Sequence, residues 1–286
     1  MTKITGKTKL LGVIGYPVEH SLSPAMHNAA IAQLGVDYVY LPFPIAPENL
    51  AAAIEGFAAI GVVGFSVTIP HKQAIMPLLT EISPLAQAVG AVNTVYRQAN
   101  KWLGTNTDVE GFVAPLRTCN RDWKQTVAVI LGNGGAARAV VAGCSELGCA
   151  TIHVVGRNQA KLKQFFASWE VSSLSVNLQI HSWEELPQLI PQANLLVNTT
   201  PIGMYPQVSQ SPLSVDEMGN LPAGAIAYDL IYTPRPTQFL KYAEQVGAIA
   251  IDGLEMLVQQ GAAALQIWLQ QPPPVDVMRQ ALENEL

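Results

Sequence analysis

The sequence predicts an α/β protein of two domains, each built on a mainly parallel sheet. Short apolar runs alternate with longer alanine-rich stretches over residues 10–118, which is the pattern of strands and helices in such a sheet. A second series begins at Thr126, where the apolar run TVAVIL leads directly into the glycine-rich GNGGAARA. The length of 286 residues is enough for two hydrophobic cores, since a domain has roughly 150 residues.

The first series is defined by its turn residues. It predicts strands over residues 10–15, 38–44 and 63–69, helices over 24–35 and 47–60, and a hairpin of strands 92–97 and 102–107. The first helix begins at a proline and ends at Gly35, which are favoured residues at those two positions. The polar residues 98–101 separate the hairpin strands and form their turn.

The second series continues to the end of the chain. It predicts strands over residues 126–131, 151–156, 174–180, 195–198, 225–229 and 248–251, with a helix to about Leu147 after the first of them. From Gly253 onwards the low-charge segment EMLVQQGAAALQIWL predicts one long helix. Three consecutive prolines end this helix and a short polar helix closes the chain.

Charge and hydropathy exclude several classes of partner. Charged residues make up 13% of the chain, about half the ~25% of an ordinary soluble domain, and the formal net charge is -5. Such a chain has no overall positive field, so we expect neither nucleic acid nor an anionic membrane surface as a partner. No segment approaches the ~18 consecutive apolar residues of a membrane-spanning helix. Monomer and homodimer both remain open.

The cysteines and histidines indicate neither disulfides nor a metal site. Cys119, Cys144 and Cys149 form no CxxC pair, which favours a reducing cytoplasm. The five histidines lack metal-ligand spacing such as HExxH. We therefore expect a cytoplasmic protein without a metal.

A dinucleotide-binding motif lies between the strand and the helix that follow Thr126. The segment Gly132-Asn133-Gly134-Gly135-Ala136-Ala137 satisfies the pattern G-x-G-x-x-A. Glycines at this turn let the backbone approach a pyrophosphate at the N-terminus of the helix. Because strand and helix flank it correctly, the motif predicts a Rossmann-type doubly wound domain, although a merely tight turn is the alternative.

The end of the next strand favours NADP over NAD. NAD sites place Asp or Glu there to bind the ribose 2′-hydroxyl, whereas this chain has Arg157, Asn158 and Lys161. A guanidinium makes charge-assisted hydrogen bonds to a 2′-phosphate, so NADP is the predicted cofactor. The alternative is a solvated arginine that follows a strand.

Four polar segments outside the nucleotide motif adjoin predicted strands: HSLSPAMHN, SVTIPHK, AVNTV and GTNTDVEGF. The carboxyl ends of parallel strands meet at one edge of a sheet and form the ligand crevice of α/β proteins. We therefore expect these four segments to converge there.

These segments, with four others, make the chain resemble the shikimate dehydrogenase family. The blocks GYPVEHSLSPAMHN, GFSVTIPHK, GAVNTV, GTNTDVEGF, GNGGAARA, VNTTPIGM, YDLIYTP and DGLEMLVQQ occur in the family's order. The resemblance implies a substrate domain of residues 1–112 completed by 253–286, and an NADP domain of residues 113–252. It also implies the reversible reduction of 3-dehydroshikimate to shikimate by NADPH.

The resemblance assigns Lys72 and Asp108 to the catalytic pair, and Ser21 and Ser23 to the substrate carboxylate. Further substrate contacts implied by it are Thr68, Asn93, Tyr232 and Gln260. The implied cofactor contacts, besides the glycine turn and the cations, are Thr199, Leu230, Gly253 and Met256. One departure is GRN at residues 156–158, where relatives usually have NRT.

Structural alternatives accompany these assignments. Ser23 and Asp108 are also favourable N-cap residues for the helices that follow them, Lys72 could be a surface lysine, and Met256 could belong to the core. Among functions, a quinate or dual quinate/shikimate dehydrogenase is the nearest alternative. A non-catalytic ligand sensor on the same fold is the alternative from a different class.

Overall fold

A computed structural model describes residues 4–286 and divides the chain into two compact units. The first unit comprises the chain up to Gly111 together with Leu257–Glu285, and the second comprises Phe112–Met256 and the terminal residue Leu286. Each unit contains one six-stranded sheet. Within residues 4–286 no helix is both long and apolar enough to cross a membrane.

The first unit begins with alternating strands and helices. Its elements are β1 (Lys9–Gly15), α1 (Ser23–Leu34), β2 (Tyr38–Pro44), α2 (Leu50–Ala59), β3 (Val62–Val67), α3 (His71–Ala74), β4 (Glu81–Ile82), α4 (Pro84–Val89), β5 (Thr94–Gln98), β6 (Lys101–Thr105) and the start of α5 (Asp108–Arg117). α2 follows a short 3₁₀ turn, Pro47–Asn49, so the helix predicted over residues 47–60 is divided into two parts.

The sheet of the first unit has the order β2-β1-β3-β5-β6-β4. β1 is parallel to β2 and β3, whereas β5 runs antiparallel to both of its neighbours. The turn between β5 and β6 contains only two residues, and its first, Ala99, has a φ of 52°. In register, Ser66 pairs with Thr94 and Thr94 with Thr105. The end of β3, the start of β5 and the end of β6 therefore share one edge of the sheet.

The returning C-terminal segment packs tightly on this sheet. A Cβ atom added to Gly64 in β3 would lie 2.4 Å from the Trp268 indole, so only glycine admits that ring. Trp268 Nε1 donates to the carbonyl oxygen of Val95 in β5 at 2.9 Å. These contacts fix the helix that carries Gln260 against the first unit.

The second unit follows the pattern predicted after Thr126. Its elements are β7 (Val127–Leu131), α6 (Gly135–Leu147), β8 (Thr151–Gly156), α7 (Gln159–Glu170), β9 (Leu178–Ser182), α8 (Leu186–Leu189), β10 (Leu195–Asn198), α9 (Val215–Met218), β11 (Ile226–Asp229), α10 (Gln238–Gln245) and β12 (Ile249–Ile251). The long helix α11 (Leu254–Leu269) then leads into the first unit, where α12 (Val275–Glu283) follows.

All six strands of the second sheet are parallel, in the order β12-β11-β10-β7-β8-β9. The order reverses between β7 and β10, which is the position where doubly wound sheets bind ligands. The predicted α/β fold class with two mainly parallel sheets is confirmed. The strand predicted over residues 174–180 instead starts at Leu178, because the Asn177 side chain turns back to donate to the carbonyl oxygen of Ala150 at 2.7 Å.

Candidate active site

Three polar side chains meet at the shared edge of the first sheet. Lys72 lies in α3 after β3, Asn93 precedes β5, and Asp108 begins α5 after β6. Lys72 Nζ donates to Asp108 Oδ2 at 2.6 Å, and Asn93 Nδ2 donates to Asp108 Oδ1 at 2.9 Å. The exposed fractions are 17% for the Lys72 side chain and 7% for that of Asp108. The pair is thus largely withdrawn from water but open enough to be reached.

The backbone around Lys72 is held from two sides. Its carbonyl oxygen accepts from the Val92 N–H at 2.8 Å, which joins it to the segment that leads to Asn93. The neighbouring His71 is fully buried and its Nε2 donates to the Ile45 carbonyl oxygen at 2.7 Å. The lysine therefore stands on a fixed turn, and His71 is a supporting residue that the sequence analysis did not identify.

Asn93 is almost fully buried and is bonded mainly within the chain. Its Oδ1 accepts from the Thr107 N–H at 2.7 Å, and its Nδ2 lies 2.9 Å from Thr107 Oγ1 and 3.3 Å from Gln260 Oε1. The structure thus brings together Lys72, Asp108, Asn93 and Gln260, four of the predicted residues. Thr107 is a further member of this network, and the polar run GTNTD was the signal that could have indicated it.

Asn106, not Asp108, caps helix α5. Asn106 Oδ1 accepts from the N–H groups of Asp108 at 3.0 Å and Val109 at 3.3 Å. The N-cap alternative for Asp108 is therefore wrong, because its carboxylate oxygens face Lys72 and Asn93 instead.

Ser21, Ser23 and Thr68 lie around the carboxyl end of β1. Ser21 Oγ accepts from the Ser23 N–H at 3.3 Å, while Ser23 is the first residue of α1 and the N-cap position is occupied by Leu22. The N-cap alternative for Ser23 is therefore wrong. A Cβ atom on Gly15 would lie 2.5 Å from Thr68 Cγ2 and 3.5 Å from Val18 Cβ. The end of β1 and the segment that carries Thr68 are therefore in close contact.

The remaining predicted substrate residue, Tyr232, belongs to the second unit, as do Leu230, Gly253 and Met256. A Cβ atom on Gly253 would lie 2.1 Å from the Leu230 carbonyl oxygen, so these two loops are in contact. Met256 is 8% exposed and lies in the part of α11 assigned to this unit.

The glycine turn has the geometry of a phosphate-binding loop. Gly132 has a φ of 105°, and a Cβ atom there would lie 2.7 Å from Thr199 Oγ1, which donates to the Leu131 carbonyl oxygen at 2.8 Å. Nothing lies within 4 Å of a Cβ atom built on Gly134, the residue before α6, so its surroundings are open. Asn133 Nδ2 is buried and has no partner among residues 4–286. An open, uncapped helix N-terminus beside an unpartnered donor fits the pyrophosphate of a dinucleotide.

The predicted cations follow β8. Arg157 and Lys161 are exposed, and the Arg157 guanidinium lies over the Trp183 ring, 4.8 Å from its centroid. Asn158 Oδ1 accepts from the Lys161 N–H at 3.0 Å, so Asn158 is the N-cap of α7. Its side-chain oxygen is engaged by the fold, while the guanidinium of Arg157 faces solvent.

A buried carboxylate supports the loop that carries Tyr232. Asp229 Oδ1 accepts from Asn198 Nδ2 at 3.0 Å and the Ile231 N–H at 3.1 Å, and Oδ2 accepts from Thr237 Oγ1 at 2.7 Å. Burial raises the pKa of Asp229 to about 6, although these hydrogen bonds oppose the rise. The sequence analysis did not single out Asp229, since a lone Asp at a strand end has many possible roles.

Among the described residues, 4–286, no group of three or more His, Cys, Asp or Glu side chains is arranged to hold a metal ion.

Comparison with known proteins identifies the family. The family profile described as "Shikimate dehydrogenase substrate binding domain" matches residues 13–95, and "Shikimate 5'-dehydrogenase C-terminal domain" matches residues 253–283. The shikimate dehydrogenase (NADP(+)) of Trichormus variabilis is 75% identical over 285 residues, which are 99% of this chain and 99% of that protein. The chain belongs to the shikimate dehydrogenase family. The resemblance of the eight sequence blocks is thereby confirmed.

Solved structures of shikimate dehydrogenases share the whole fold. One, crystallised in complex with NADP+, is 38% identical with a TM-score of 0.88, covering 99% of this chain and 98% of that one. The Thermus thermophilus protein, in complex with NADP(H) and shikimate, is 33% identical with a TM-score of 0.85, covering 98% of this chain and 100% of that one.

The shikimate dehydrogenase profiles match only part of the candidate site. The range 13–95 contains Lys72 and Asn93, and 253–283 contains Gln260, whereas Asp108 lies outside both ranges. For Asp108 the link to the others comes from its hydrogen bonds with Lys72 and Asn93.

Proposed function

We propose that this chain catalyses the reversible reduction of 3-dehydroshikimate to shikimate by NADPH. The observation that carries the proposal is the Lys72–Asp108 pair, 2.6 Å apart and mostly buried at the polar edge of the first sheet. Such a pair offers the positioned proton donor that reduction of a ketone by hydride requires. The names of the relatives, shikimate dehydrogenase (NADP(+)), support the choice of substrate and cofactor.

Lys72 is the proton donor in this proposal. NADPH, when bound, supplies the hydride, and the carbonyl oxygen then gains negative charge that needs a proton. The Lys72 ammonium donates that proton in the reduction and recovers it in the oxidation. Asp108 holds Nζ in place through Oδ2 and keeps an opposite charge beside the ammonium.

The neighbours of the pair orient the reactants. Asn93 Nδ2 fixes the second oxygen of Asp108, so Asn93 acts on the pair as well as on a substrate hydroxyl. In the proposal the Ser21 and Ser23 hydroxyls bind the substrate carboxylate. The further substrate contacts proposed are Thr68, Gln260 and Tyr232.

The second unit is proposed to hold the cofactor. The pyrophosphate binds at the turn of Gly132, Asn133, Gly134, Gly135 and Ala136, before α6. Arg157, with Asn158 and Lys161, binds the 2′-phosphate. A cation at the end of β8, where NAD sites have Asp or Glu, favours NADP. The proposed nicotinamide contacts are Thr199, Leu230, Gly253 and Met256.

The domain roles, compartment and assembly follow as proposals. We assign substrate binding to residues 1–112 with 253–286 and NADP binding to residues 113–252.

A reducing cytoplasm suits three cysteines that form no disulfide among the described residues. Light scattering during size exclusion would distinguish the monomer from the homodimer.

Replacement of Lys72 tests the proposed chemistry. Lys72→Ala should lower kcat roughly 100- to 10,000-fold, because the positioned acid is lost, while the KM values for shikimate and NADP change little. A suitable control is Lys101→Ala, which removes another lysine–carboxylate pair of the same unit, Lys101–Glu81 at 2.7 Å and well exposed. It should retain wild-type kcat.

The assay also compares substrates and cofactors. Initial rates with shikimate against quinate, and NADP against NAD, should favour shikimate and NADP. Retention of most turnover by Lys72→Ala would contradict the acid role. A preference for quinate would move the assignment to quinate dehydrogenase, and absence of all turnover in the wild type would favour the ligand sensor.

A further inference from the structure

Arg157 and Trp183 occupy equivalent positions beyond two neighbouring strands of the second unit. β8 and β9 are parallel, and their last residues, Gly156 and Ser182, pair with each other. Arg157 follows the first strand and Trp183 follows the second. The guanidinium carbon of Arg157 lies 4.8 Å from the centroid of the Trp183 ring. Sheet register thus brings an exposed cation onto an aromatic face at the sheet edge where we place the cofactor.

The indole is anchored by the structure beneath it. Trp183 is half-buried and packs against the hydrophobic core of the second unit. It begins a 3₁₀ turn, Trp183–Glu185, which Glu185 closes by accepting from the Ser182 N–H at 2.7 Å. The other oxygen of Glu185 accepts from His181 Nδ1 at 3.0 Å.

A second histidine extends this anchor into the sheet. His181 Nε2 and His153 Nδ1 share a hydrogen bond of 3.0 Å, and His153 is 7% exposed in β8. The turn that carries Trp183 is therefore connected through two imidazoles to β8, the strand that Arg157 follows. Arg157 itself is exposed and makes no hydrogen bond or ion pair within residues 4–286, so its guanidinium N–H groups remain available.

We propose that Trp183 is a positioning residue that sets the preference for NADP over NAD by holding the Arg157 guanidinium in place for the 2′-phosphate. Stacking engages the face of the guanidinium and leaves its in-plane N–H groups free for a phosphate. A long side chain that is already ordered loses less conformational freedom when the phosphate binds. This inference rests on the proposed function, because it requires Arg157 to contact that phosphate.

Direct binding of two cofactor fragments isolates the phosphate contribution without depending on turnover. We compare the dissociation constants of adenosine 2′,5′-bisphosphate and 5′-AMP, measured by isothermal titration calorimetry, for the wild type, Trp183→Ala, Trp183→Phe and Arg157→Ala. Trp183→Ala should weaken the bisphosphate roughly three- to tenfold and leave 5′-AMP unchanged. Trp183→Phe should retain part of the effect, since a phenyl ring still stacks on the guanidinium.

Kinetics and a double variant separate positioning from a structural role. Trp183→Ala should raise the KM for NADPH without changing kcat or the KM for NADH. In the Arg157→Ala background the same substitution should have no further effect on the bisphosphate. Trp123→Ala is a matched control, because Trp123 is half-buried on a 3₁₀ turn of the same unit but precedes β7, at the opposite edge of the sheet. It should change none of these values.

Each outcome decides one of the two hypotheses. Equal weakening of bisphosphate and 5′-AMP by Trp183→Ala, or additive effects in the double variant, would overturn the positioning role. If Arg157→Ala weakens the bisphosphate selectively but Trp183→Ala does not, only the Trp183 inference fails. If Arg157→Ala leaves the preference for NADPH intact, the proposed phosphate contact itself is refuted, and the inference falls with it.

Discussion

A buried histidine should make the first unit sensitive to acid. His27 in α1 is fully buried, stacks on Tyr40 with ring centroids 4.2 Å apart, and lies 5.4 Å from the Trp268 ring. Neither ring nitrogen has a partner among the described residues. Burial lowers the pKa of His27 from 6.5 to about 3, because nothing nearby solvates the imidazolium. The Tyr40 hydroxyl donates to Ser66 in β3, so the stack adjoins the strand that leads to Thr68.

The direction and size of the effect follow from proton linkage. Between about pH 6.5 and 3 His27 binds a proton in the unfolded chain but not in the folded chain. The free energy of unfolding therefore falls as the pH is lowered. At pH 5 the unfolded-state pKa lies 1.5 units above the pH. The free energy of unfolding is therefore about 2 kcal/mol lower at pH 5 than at pH 7.5. Above the unfolded-state pKa His27 is neutral in both the folded and the unfolded chain, so this loss of stability is absent there.

Urea unfolding from pH 7.5 to 5 measures this loss. His27→Leu replaces the imidazole by an apolar side chain of similar size and removes its titration. Its free energy of unfolding should therefore fall by about 2 kcal/mol less than that of the wild type over this range. Met26→Leu changes the same packing without a titrating group and should keep the wild-type slope. An identical pH dependence in His27→Leu and wild type would refute the reasoning.

Two further predictions concern the second unit. Asp229 has a pKa of about 6 against 3.8 for the ordinary side chain, so its folded form retains a proton that the unfolded form has lost. The free energy of unfolding should fall by up to about 3 kcal/mol as the pH rises through this interval, and thermal melting of Asp229→Asn should lack that component. Gly132→Ala should lower the free energy of unfolding by roughly 1–3 kcal/mol, because φ is 105° and the new Cβ meets Thr199 Oγ1. Its KM should rise for NADPH and NADH alike, whereas Gly56→Ala, with open space around its Cβ, should leave both unchanged.

The sequence predicts that the polar segments converge, but the reason that it offers is correct for only some of them. The prediction relied on the carboxyl ends of parallel strands. That argument holds for Thr68 and Lys72, which follow β3. Asn93 instead precedes β5, and it reaches the same edge because β5 runs antiparallel to β3. The short turn after β5 then returns the chain so that Asp108 follows β6 at that edge.

Contacts that depend on register across a sheet could not be read from the sequence. Arg157 and Trp183 are brought together only because Gly156 pairs with Ser182, and no local pattern specifies that pairing. The N-cap alternatives for Ser23 and Asp108 were reasonable by residue type. They fail because Asn106 caps α5 and because Pro24 and Ser23 already form the first turn of α1. Residue preferences describe which cap is possible, whereas neighbouring side chains decide which one forms.

The polar cluster around Asp108 is difficult to explain by stability alone. Replacement of a buried ion pair by apolar side chains of similar volume is often neutral or stabilising, so the Lys72–Asp108 pair adds little to the fold. Yet Asn93 and Asn106, both nearly fully buried, direct a side-chain amide or an amide oxygen to Asp108. Buried polar groups of this kind must all be satisfied at once, which restricts each to a single arrangement. An ammonium held in a fixed place beside a fixed carboxylate is the arrangement that the proposed proton transfer requires.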